Sequence, residues 1–119
     1  MKRRIGDWAG AEQIYQRTIQ AYQEQWHIPA VAHQLECMGF IAVHQGLYSR
    51  AARLLGAAQA IRASIHVNRL PPEQIEFDEA LAYLESGMGQ SDRDRRMSEG
   101  AQMSLDEAVA LALQDPLES

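Results

Sequence analysis

The hydrophobic positions along this chain repeat at steps of three and four residues almost from end to end. Trp8, Ala11, Tyr15, Thr18, Ile19, Tyr22 and Trp26 form one such stripe. It predicts a first amphipathic helix of about five turns, with Asp7 placed to cap its start. Pro29 suits the first turn of a second helix. In that helix Ala32, Leu35, Gly39, Ala42 and Gly46 lie along one side, with Val31, Met38, Phe40 and Ile41 beside them. A helix apolar over so much of its circumference is expected to be sandwiched between neighbours, and Gly46 to end it.

A third helix is predicted from Tyr48 to Ile65, burying Ala51, Ala52, Leu55, Ala58, Ile61 and Ile65. Pro71 and Pro72 start a fourth, which uses Ile75, Phe77, Ala80, Leu81 and Leu84 before Gly87 and Gly89 stop it. The polar run from Ser91 to Arg96 predicts a short helix at most. Ser104 and Glu107 form a capping box for a last helix with Leu105, Val109, Ala112 and Leu113 on its apolar face, closed by Pro116. The organisation is one all-α domain over 1–119. It comprises repeat-like helices at 6–66, a helix after a proline turn at 70–89, and short C-terminal helices at 90–119. Valine, isoleucine and threonine are too sparse to predict a sheet.

Two stretches match at an offset of 40 residues: Gly6-Asp7-Trp8-x-x-Ala11-x-x-x-Tyr15 and Gly46-Leu47-Tyr48-x-x-Ala51-x-x-x-Leu55. Each sets a glycine at a turn, then an aromatic, a small residue and a large apolar residue on one stripe. The small alanine lets a neighbouring helix approach, and the larger residues fill the space around it. This pattern resembles the tetratricopeptide repeat (TPR), which implies antiparallel helix pairs stacked on one another. The 40-residue offset exceeds that family's period of about 34.

A second resemblance covers the C-terminal half. The run from Ala51 to Arg62 is similar to the "RLLGAAEALR" segment of a bacterial family, and so are Leu70-Pro71-Pro72-Glu73 and the run from Ser98 to Ala112. In that family these stretches close the TPR-like tail of LuxR-type and related multidomain regulators that carry a signalling ATPase. The resemblance implies a sensor or scaffold segment of a switch protein. Arg93 and Met97 depart from it, standing where relatives tend to have an aromatic and a tryptophan, so a looser 90–97 segment is expected. No phosphate-binding loop or helix-turn-helix pattern is present in these residues.

Charge refines this picture. The net charge of −5 argues against nucleic acid as a direct partner. Residues 1–72 carry a formal +4 and residues 73–119 a formal −9, so the two halves are expected to present separate solvated faces or to attract each other. The single cysteine, Cys37, fits a reducing cytoplasm. No apolar run approaches the roughly 20 residues of a membrane span, and the basic start at Met1 to Arg4 is not followed by a secretion signal.

The chain is expected to begin within a repeat, leaving Trp8, Tyr15, Tyr22 and Trp26 to pair with a second copy or with an upstream regulator or ATPase domain. His33, Cys37 and His44 share one face of the second helix. His33 and Cys37 lie close enough to ligate together, but His44 stands about 10 Å further along. Hence no metal site is read, and no cofactor. No oxyanion donors or orienting third group accompany the thiol and imidazole, so no enzyme is read either. Glu73, Glu76, Asp78 and Glu79 are expected to be solvated, as is the Arg93, Arg95 and Arg96 cluster. The expected function is protein interaction or oligomerisation through Trp8, Tyr15, Tyr22, Trp26, His33, Cys37, Phe40 and His44. The alternative is a helical domain that senses a small-molecule effector.

Overall fold

The computed structural model describes residues 8–24 and 27–114; side chains are described for 10–21 and 27–114. Among the described residues every regular element is a helix: α1 (Trp8–Glu24), α2 (Ile28–His44), α3 (Tyr48–Ile65), α4 (Pro71–Met88), α5 (Gln90–Ala101) and α6 (Leu105–Leu113). Asp7 and Pro116 lie outside the described residues.

The boundaries follow local chemistry. His27 accepts through Nδ1 from the Ala30 amide at 3.3 Å, and Pro29 occupies the first turn of α2, where a missing N–H costs nothing. At the other end Gly46 adopts φ +77°, while Leu47 N–H bonds Ala42 O at 2.9 Å and Gly46 N–H bonds Val43 O at 3.1 Å. This pair of reversed bonds satisfies the last carbonyls and turns the chain directly into α3. Helix α3 ends in the same way, but with His66 rather than glycine in the left-handed region, at φ 57°. Leu70 N–H bonds the Glu73 carboxylate at 2.9 Å at the start of α4. The Ser104–Glu107 capping box is reciprocal, with bonds of 2.8 and 3.1 Å.

Helices α2 and α3 form the middle of the molecule. On one side Ile19 of α1 and Ala108, Val109 and Ala112 of α6 pack with Val31, Leu35, Met38, Leu54, Ala57 and Ala58. On the other, Phe77, Ala80 and Leu84 of α4 pack with Phe40, Ala42, Val43, Ala51, Ala52 and Leu55. The expected sandwiching of α2 is observed: from Val31 to Val43 only His33 is not buried. Ala11 and Ala51, the small residues of the offset match, are both buried.

Three expectations need correction. Ile75 does not join the α4 stripe and stands 60% exposed; α4 buries only the face from Phe77 through Ala80 to Leu84. Gly87 does not stop α4 but lies inside it, where a Cβ would run into the Tyr48 ring; Gly89, at φ 85°, is the stop. The 90–97 segment is not loose. It belongs to α5, which crosses α3 at a reciprocal pair of glycines: Gly56 faces the Met97 backbone and Gly100 faces the Arg53 backbone. A methyl group at either position would collide with a carbonyl. Arg93 anchors the segment by donating to Leu81 O at 3.3 Å.

Candidate interaction surface and buried ion cluster

The residues singled out from the sequence separate once the helices pack. The side chains of Trp8, Tyr22 and Trp26 lie outside the described residues. Tyr15 is half-buried against the α1–α6 side of the core. Phe40 is 5% exposed within the α4-facing cluster and Cys37 is 3% exposed, so neither lines a groove, contrary to expectation. Both point inward because α2 is covered on two sides. His33 and His44 do reach the surface. The His44 ring lies 6.2 Å from that of Tyr83, tilted by 53°, which joins the C-terminal end of α2 to the outer face of α4.

His33 has partners on both ring nitrogens. Its Nε2 is 3.6 Å from Cys37 Sγ and its Nδ1 is 3.2 Å from Glu73 Oε2. An orienting carboxylate therefore does accompany the imidazole, from a residue 40 positions further along the chain, and Glu73 is not simply solvated. Burial nevertheless withholds the thiol from a substrate, because reactive cysteines sit in partly open surroundings. No group of three or more metal-ligating side chains is gathered among the described residues.

The polar cluster that the sequence reading missed lies deeper. Glu36 is 1% exposed and accepts on one oxygen from Arg62 Nε at 3.1 Å and from Arg69 Nε at 2.8 Å. The Arg69 guanidinium also lies 3.6 Å over the Phe77 ring, a cation–π contact. Arg50, 2% exposed, donates to Leu111 O at 2.8 Å and Ala112 O at 3.0 Å. A positive charge thus meets the negative end of the α6 dipole. For Glu36 the available signal was a charge within the apolar run of α2; Arg50, in the first turn of α3, carried none.

Between the two halves of opposite charge, Arg53 on α3 pairs with Glu99 on α5 at 3.0 Å. Arg96 donates to both Glu99 oxygens, at 3.1 and 3.2 Å. Hydrogen bonds from Arg96 and then Arg53 hold the Glu99 carboxyl below its ordinary range. Arg93 and Arg95 also pair with neighbouring carboxylates, so the basic cluster is internally neutralised. Among the described residues, large apolar side chains are left exposed at Ile14 on α1 (47%) and, in or beside α4, at Leu70 (66%), Ile75 (60%) and Tyr83 (60%).

Comparison with known proteins gives a partial match. Over 78 residues the chain is 36% identical to proteins named as HTH-type transcriptional regulators from Mycobacterium bovis and from two strains of Mycobacterium tuberculosis. The match covers 66% of this chain and 9% of each regulator. No family model matches the chain, and no solved structure does. The chain is thus a helical domain related to transcriptional regulators. The expectation of no direct nucleic-acid partner is overturned, since these relatives are named for the helix-turn-helix, a motif that docks in DNA grooves. Its physical basis was too narrow: the charge of one short stretch does not set the partners of a protein of which such a stretch is 9%. No helix among the described residues is long and apolar enough to cross a membrane.

Proposed function

We infer that this chain is a protein-contacting helical segment of a cytoplasmic transcriptional regulator, within a protein that engages DNA. The observation that carries this reading is the 36% identity over 78 residues to regulators so named. Exposed apolar residues on and beside α4 support a contact role: Leu70, Ile75 and Tyr83 are each 60% exposed or more, and the His44 ring lies beside that of Tyr83. A TPR-like stacking of helix pairs is part of the proposal. It is supported by α1 and α3 starting 40 residues apart, at Trp8 and Tyr48, each burying an alanine three residues on. In this reading the segment is not an enzyme and holds no resident cofactor.

The test is an NMR titration of the 15N-labelled chain with the helix-turn-helix portion of such a regulator and, separately, with duplex DNA. Shifts at His44, Ile75 and Tyr83 are expected with the protein, and the double variant Ile75→Lys/Tyr83→Lys should weaken binding by about tenfold or more. No response to the protein, or undiminished binding by the double variant, overturns the reading.

A further inference from the structure

The buried charge around Glu36 is out of balance. Two guanidinium groups, each on a side chain 8% exposed, share one carboxylate, leaving one positive charge in excess below the surface. The phenyl face of Phe77 offsets part of this, but the Nη2 group of Arg69 is buried with no hydrogen-bond partner. A charged donor left in that condition is costly unless something meets it.

Beside both arginines opens a cleft of about 670 Å³, between the end of α3, the 66–70 connector and the start of α4. Its polar lining is Gln59, Arg62, His66, Asn68, Arg69 and Gln74. None of the lining residues is acidic, in a chain whose formal charge is −5. A cleft with two buried arginines on its wall, amide side chains around them and no carboxylate selects negative charge.

We propose that this cleft binds a small oxyanion, a carboxylate or phosphate group carried on a metabolite-sized ligand. An oxygen of the ligand meets the arginine wall formed by Arg62 and Arg69, with Gln59 and Asn68 beside it. Binding balances the second arginine and ties α3 to the connector that leads into α4. The site does not use the exposed α4 residues Ile75 and Tyr83, so it stands or falls independently of the protein-contact role.

The experiment measures melting temperature and calorimetric binding of the full 119-residue chain with sodium phosphate, sodium succinate and sodium chloride at matched ionic strength. At saturation, phosphate or succinate should raise the melting temperature by about 5 °C or more while chloride does not. A response to one oxyanion alone assigns the ligand's head group. Arg69→Lys keeps the charge but loses the planar fork, and should weaken binding about tenfold or more. Gln59→Glu places a carboxylate at an exposed position of the wall and should weaken it comparably without changing the unliganded melt. It decides the matter if Arg69→Lys does not fold. Neither oxyanion exceeding chloride, or undiminished binding by Gln59→Glu, overturns the proposal.

Discussion

Glu36 shows how far one side chain's meaning depends on its neighbours. It interrupts the apolar run of α2, where a glutamate would be expected to face water, yet it is 1% exposed. Arg62 from α3 and Arg69 from the connector both reach it, so the desolvated carboxylate is paired twice. Removing it would leave two buried cations facing each other. Glu36→Ala is expected to cost about 3–5 kcal/mol, read from the urea midpoint with an unchanged slope. Cys37 carries the opposite lesson. Its spacing from His33 invites chemistry, and the structure even adds Glu73 to the imidazole, but burial makes the thiol a core residue that accepts a polar neighbour.

At the scale of elements, the α3–α5 crossing is a backbone-to-backbone approach that rests on two glycines from separate segments. Gly56 and Gly100 sit in the two runs that carry the family resemblance, and each opens space for the other helix's backbone. The obstructing atoms are backbone, which cannot rotate away as the end of a side chain can. Gly100→Ala should therefore destabilise by about 1–3 kcal/mol and speed hydrogen exchange throughout α5. Gly46 is a contrasting case. Nothing lies within 4 Å of the Cβ position there, so its requirement is only the positive φ, and alanine should cost about 1–2 kcal/mol. Helix α6 is held differently again, by Arg50 on its final carbonyls.

At the scale of the whole molecule, two carboxylates among the described residues, Glu99 and Glu107, are held below their ordinary range and contribute to the acid limb of stability. Glu99 is held low by hydrogen bonds from Arg96 and Arg53, and Glu107 by the Ser104 backbone amide and then its hydroxyl. For a carboxylate depressed in the folded state, the stabilisation is complete above the unfolded value, about pH 4.3, and is lost as pH falls through the folded one. Stability should thus be flat near neutrality with respect to these groups and decline below that value. In the double variant Glu99→Gln/Glu107→Gln the acid decline should be shallower, measured by urea denaturation between about pH 3 and 7.

Helix existence and most boundaries were determined by the sequence itself, because capping, proline placement, glycine stops and three-four periodicity are local physics. Helix α3 begins and ends at the predicted residues, Tyr48 and Ile65. The breadth of α2's apolar surface likewise required neighbours on both sides. Tertiary structure alone decided which polar groups were buried and why. Glu36 meets Arg69 across 33 residues, His33 meets Glu73, and Arg50 meets the end of α6, none of which any window of sequence contains. It also exposed Ile75, sank Phe40 and Cys37, and made Gly87 a seat for Tyr48 rather than a stop. Periodicity says that a stripe is apolar, but a side chain's burial and charge state depend on what the other helices bring to it.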